Sequence, residues 1–223
     1  FDGVDDQVNH GDIAAIDGAS AFTMMGWLNL DVDITVGVGS RFLLAKDGAC
    51  RMQFGQQGFD DNTSWRTSSA IFGSAAGDLS VVGEWAHWAY VFNGAGAANA
   101  DRLKMYKDAI EQVLTFTGIV AATLPDAGAE PLRAMSNTSN ALFTDGRAAL
   151  LKVWAAALSA AEVAQEMNSF RPVRTSGLIV WSPYDERAAT AADYSGAGNH
   201  GTITGALVEQ GPPVGGGRPV RIY

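Results

Sequence analysis

The chain has 223 residues, 47% of them hydrophobic and 17% charged, a length and balance that suit one large globular domain and exclude a disordered tail or a low-complexity polymer. Fifteen lysines and arginines against 24 aspartates and glutamates leave a net charge of −9, which argues against nucleic acid or an anionic membrane as partner. The single cysteine, Cys50, excludes an internal disulfide and a multi-cysteine metal site. No apolar run is long enough to span a membrane, and FDGVDDQV carries no basic or apolar leader, so neither a span nor a signal peptide is expected.

Twenty-six glycines spread along the chain predict an all-β fold of many short strands joined by tight turns. AFTMMGWLNL alternates Phe22, Met24, Leu28 and Leu30 against Thr23, Met25, Trp27 and Asn29, a strand with apolar groups on both faces. RFLLAKDG and CRMQFG form a hairpin about Asp47-Gly48. GQQGFDDNTSWRTSS, Gly55 to Ser69, reads as a polar loop. EWAHWAYVFNG is the most aromatic stretch and a central strand, and RLKMYKDAI adds another. One short helix is predicted after Leu158, from a Ser159 to Glu162 capping box and a Leu158–Val163 staple. GLIVWS resumes extended structure, DYSGAGNHGTI is a glycine-rich turn before a strand, and the Pro212-Pro213 and Gly215 to Gly217 tail reads as an extended arm that orders on a partner subunit.

Several segments in order resemble the laminin-G-like branch of the concanavalin A-like lectin/glucanase jelly rolls found in bacteria and phages. FDGVDDQV, FTMMGWLN, EWAHWAYVFNG, LKMYKDA and FTDGRAALLKVWAAALSAAEV are each similar to a family strand or block. Ala109 replaces the glycine of the family hairpin, and Ala149 stands where an acid is common. Gly177 to Ile203 also resembles the family, yet it corresponds to a segment that usually opens the domain. The order is therefore read as circularly permuted: residues 1–208 form one sandwich of two antiparallel sheets, with 177–203 supplying the opening strand, and 209–223 form the arm.

Catalysis is not expected. A glycanase needs two carboxylates held about 5 to 10 Å apart, and no Glu-x-Asp-x-Glu strand occurs; Glu84 stands alone and Asp185-Glu186 point to opposite faces of a strand. His10, His87 and His200 lack zinc spacing, and His87 reads as a packed, hydrogen-bonded core residue. Asp2, Asp5, Asp6 and Asp12 offer the oxygens calcium takes, but without an EF-hand loop they read as turn formers, so no cofactor is assigned. Asp193, Ser195, Gly196, Gly198, Asn199, His200 and Gly201 read as a structural turn. Phe59, Asn62 and Trp65, set among amides and hydroxyls, are the candidate ligand-binding residues, with Trp65 as a stacking face for a sugar. The resemblance implies binding or assembly: a phage virion surface protein, as capsid decoration or fibre component, contacting capsid or tail proteins and its own copies, or alternatively a secreted or cell-surface carbohydrate-binding module.

Overall fold

The computed structural model describes all residues except 34–38, 57–58, 68–69, 76–81, 138–141, 186–188, 215–218 and 222–223. In chain order it contains β1 (Gln7–Asp12), β2 (Ala21–Leu30), β3 (Arg41–Lys46), β4 (Cys50–Gln56), β5 (Phe59–Arg66), β6 (Phe72–Ala75) and β7 (Ala86–Asn93). The one-turn helix α1 (Asn99–Arg102) leads to β8 (Leu103–Lys107), β9 (Ile110–Glu111), β10 (Thr115–Thr117), β11 (Pro131–Ala134) and β12 (Gly146–Trp154). Helix α2 (Ala160–Met167) precedes β13 (Leu178–Ser182), β14 (Thr190–Ala191), β15 (Gly201–Thr204), β16 (Gln210–Pro213) and β17 (Pro219–Arg221). A large sheet runs β10-β6-β5-β4-β3-β11-β1-β15-β14, a small sheet runs β13-β12-β2-β7-β8-β9, and β16 pairs with β17 apart from both. All pairings are antiparallel, and the two sheets pack face to face as an all-β jelly-roll sandwich.

The period-two patterning decides which side chains meet between the sheets. Phe22, Met24 and Leu28 of β2 and Trp88, Tyr90 and Phe92 of β7 face inward against Leu44, Met52 and Phe54 of the large sheet. The small sheet is apolar on its other face too, because α2 covers it: Leu158 and Val163 pack on Met25, Ala89, Val91, Tyr106 and Trp154. The Ser159–Glu162 capping box is present, and the Thr23 hydroxyl anchors the helix entry by accepting from Leu158 N at 3.0 Å and donating to Ala156 O at 2.7 Å. β12 departs from strict alternation at a bulge between Ala149 and Lys152, where Leu150 takes φ +54 and turns outward beside Ala149.

Three segments differ from or add to what the sequence suggested. Within the stretch read as a polar loop, Phe59–Arg66 form strand β5, which pairs with β4 from Arg51–Arg66 to Gln56–Phe59. The β8–β9 turn forms although glycine is missing: Asp108 and Ala109 take φ +50 and +62, with the Asp108 carboxylate accepting from His87 N at 2.8 Å. The C-terminal segment turns back through the β16–β17 pairing and docks on its own domain, with Gly211, Pro212 and Val214 buried and Val214 against Ala149 and Leu150. The outward bulge of β12 gives Val214 an apolar surface to cover. Residues 178–204 enter both sheets, β13 pairing with β12 and β15 with β1.

Candidate functional site

The glycine-rich turn after β14 is organised by one carboxylate. Asp193 accepts from Trp181 N, Ser195 N and Asn199 N at 2.9 Å and from the Ser195 hydroxyl at 2.8 Å. Burial alone would raise its pKa, but these donors outweigh that and hold it below the usual carboxylate range. Gly196 and Gly198 take φ +91 and +81. His200 Nδ1 accepts from Asp193 N at 3.0 Å, and Asn199 Nδ2 donates to Ile179 O at 2.8 Å. At Gly201 a Cβ would stand 2.4 Å from Val8 Cγ1, so only glycine lets β15 lie this close to β1.

The turn also aims two aromatic rings. With Trp181 N bound to the Asp193 carboxylate and Tyr194 N donating to Trp181 O at 2.8 Å, the indole and phenol stand 5.6 Å apart at 54°, an open wedge. Phe170 closes one side, edge-on to Trp181 at 6.3 Å. Arg171, Pro183 and Asp185 complete a surface pocket of about 360 Å³, at the lower end of the size range of small-ligand sites. Tyr194 is 53% exposed, and the Trp181 Nε1–H has no acceptor among the described residues.

A second, narrow cleft of about 90 Å³ opens where β12 meets the segment before β16, lined in part by Trp85, Tyr184 and Asp31. Arg147 donates from Nη1 to Asp31 at 2.9 Å and to Asn29 Oδ1 at 3.3 Å, and from Nε to Glu209 at 2.5 Å. The Glu209 hydrogen bond, foremost, raises the pKa of Arg147, and the same bond lowers that of Glu209. Tyr184, at φ +61, hydrogen-bonds His10 Nε2 at 2.9 Å; His10 Nδ1 lies 2.9 Å from Asn199 O, which makes Nδ1 the donor and the tyrosine hydroxyl the donor to Nε2.

The residues offered from sequence as ligand or calcium sites fall elsewhere. Trp65 is fully buried between the sheets, donating to Val91 O at 3.3 Å and standing 5.6 Å from Tyr90, so its ring has no face for a sugar. Phe59 and Asn62 belong to the same strand, and their side chains lie outside the described residues. Asp2, Asp5 and Asp6 bring carboxylate oxygens within 4.8 Å of one another, yet Asp6 accepts from Asp2 N and Asp2 from Val4 N, both at 2.9 Å, as turn formers do. Asp12 instead pairs with buried Lys46 at 2.5 Å, alongside Asp17 at 2.8 Å. Burial opposes the Lys46 charge, but the two carboxylates outweigh it and raise its pKa. The Cys50 thiol is pushed up to about 12 by burial, which leaves it no nucleophilic thiolate. Tyr194 was the residue sequence reasoning passed over: the signal was an aromatic at the variable position of a glycine-rich turn.

A family model described as the Concanavalin A-like lectin/glucanases superfamily matches residues 2–164. No curated protein matches the sequence. Among solved structures, a Bacteroides ovatus protein named as a candidate carbohydrate-binding protein is similar over 97% of this chain at TM-score 0.71 and 14% identity. This chain spans 60% of that protein. Domain 4 of a Geobacillus stearothermophilus extracellular arabinanase, solved with arabinotriose, superposes at TM-score 0.50 over 68% of each chain with 17% identity. Tailspike protein 2 of an Escherichia coli O157:H7 bacteriophage superposes at 0.51 over 80% of this chain and 25% of the tailspike, with 12% identity.

Proposed function

From the premise that the chain belongs to the concanavalin A-like lectin/glucanase superfamily, we propose that it is a non-catalytic glycan-binding module whose sugar site is the Trp181–Tyr194 wedge. The observation that carries this is the exposed phenol of Tyr194 held at 5.6 Å from the Trp181 indole at the mouth of a surface pocket. Pyranose rings offer a C–H face to stack on an aromatic plane and hydroxyls for the polar groups around it. Arg171 and Asp185 at the rim add polar groups that fix orientation. The carbohydrate-binding name of the Bacteroides ovatus relative and the arabinotriose in the arabinanase domain support the same class of ligand.

The test is a glycan array followed by titration of each hit. Tyr194→Ala should weaken binding by about 1 kcal/mol or more, roughly fivefold, with an unchanged melting temperature. A blank array, or a hit indifferent to the substitution, contradicts the reading.

A narrower placement, on a phage virion as a capsid decoration or fibre component beside capsid or tail proteins and further copies of itself, is supported by the likeness to the tailspike. Its test is mass spectrometry of purified particles: the chain present at structural stoichiometry supports it, and the chain found only in the free, secreted fraction favours a cell-surface or extracellular module.

A further inference from the structure

We propose that the Arg147 cleft is a separate subsite for the carboxylate of an acidic sugar, and that Glu209 of the C-terminal segment sits in it as an internal stand-in for that carboxylate. The sugar part of the proposal rests on the glycan reading above; the carboxylate part stands on the guanidinium geometry alone.

One edge of the guanidinium is fixed by the sandwich. Asn29 Nδ2 donates to Gly83 O at 2.9 Å, which orients its Oδ1 toward Arg147, and Asp31 takes the same Nη1 at 2.9 Å. The opposite edge, Nε and Nη2, is the one a carboxylate can span with two parallel bonds. Glu209 uses only half of it: a single oxygen binds Nε at 2.5 Å, and Nη2 donates to no acceptor among the described residues. A ligand carboxylate placed across Nε and Nη2 would keep the bond that Glu209 makes and add one.

Glu209 is also poorly held. Its side chain is 59% exposed, Ala206 to Glu209 join neither sheet, and Leu207 beside it is 83% exposed. Beyond Glu209 the chain is tied chiefly through the buried Val214 and the β16–β17 pairing, so Glu209 can leave Arg147 without undocking the hairpin. Half-buried Trp85 lines the cleft beside Arg147, Glu209 and Gln210, offering a ring for the sugar to rest on while its carboxylate is bound. Asp31 and the net charge of −9 oppose a long polyanion. A chain with one or a few uronate residues is the class the cleft fits.

The test uses the full chain and two probes, trigalacturonate and a neutral galactose trimer, titrated calorimetrically. The acidic trimer should bind in preference to the neutral one, roughly fivefold tighter to Glu209→Gln, since the competing charge is gone. Binding should be lost with Arg147→Lys, which keeps the charge but not the fork, and Tyr194→Ala should leave the preference for the acidic trimer intact. Unfolding curves confirm that each variant is folded. Equal binding of both trimers, or an affinity that Glu209→Gln leaves unchanged or lowers, overturns the proposal. Acidic-trimer binding lost with Tyr194→Ala but kept with Arg147→Lys overturns this subsite while leaving the glycan reading standing.

Discussion

The imidazole of His87 packs edge-on to Trp27 at 5.4 Å with its Nδ1 unpartnered among the described residues, and burial, reinforced by the nearby charge of Lys152, pushes its pKa down to about 3. The sequence placed it in the core, but not that one nitrogen would go unpaired, since hydrogen bonding depends on what lies across the sheet. Below its ordinary pKa of about 6.5 the unfolded chain takes up a proton that the folded one refuses until about pH 3, so stability falls as pH falls through that window, by up to roughly 1.4 kcal/mol per pH unit. Buried His10, lowered chiefly by desolvation, adds a slope of the same sign. Urea melts between pH 6.5 and 4.5 should therefore show a shallower loss for His87→Leu than for the parent; parallel curves would mean that the ring is protonated in the fold. Trp65 shows where reading by composition failed. Thr63 to Arg66 are all buried, so β5 is covered on both faces, and its polar residues made a buried strand read as a surface loop.

Helix α2 was legible from its capping box because that signal is local, whereas the device that locks it was not. Buried Lys152 donates to Glu166 Oε2 and Glu166 O at 2.9 Å and to Ser169 O at 2.7 Å, while Glu166 Oε1 accepts from Val173 N at 2.9 Å and Arg174 N at 2.7 Å. Burial pulls the Lys152 pKa down, and Glu166 only partly offsets it. Removing one partner strands a buried charge, so Glu166→Ala should cost about 3–5 kcal/mol, while Lys152→Met with Glu166→Leu should recover much of the loss. A double-mutant cycle by chemical denaturation measures both; a single substitution costing less than about 1 kcal/mol would show that water reaches the pair. The bulge at Leu150 was equally hidden, since Ala148 to Leu151 is an unbroken apolar run with no register to read. That bulge supplies the apolar seat for Val214 and so holds the C-terminal segment in place.

At the scale of the molecule, the sandwich and its long strands were legible because alternation over β2 and β7 fixes two faces at once, and ordered family motifs supplied the topology. The family match stops at residue 164, and β13 to β15 lie beyond it. We propose that 177–203 closes the sandwich in place of the strand that usually opens it, within a single domain ending near residue 208. Truncation after Ser176 would bare the edges of β12 and β1 and remove buried Val180 and Ala191. Each large apolar side chain lost is worth roughly 1.5–3 kcal/mol against a total of about 5–15. The truncated chain should show no cooperative melt, and one near the full-length temperature would sink the permutation. The binding wedge was half legible: the Asp193 turn could be read, but not that it clamps the strand carrying Trp181, which lies 12 residues away in sequence. The most direct measurement of the glycan-binding claim is an NMR titration that follows the six tryptophan indole N–H signals as an array-identified glycan is added. The Trp181 signal should move most, with Trp65, Trp88 and Trp154, fully buried in the fold, unmoved; a bound glycan that leaves the Trp181 signal in place would contradict the account.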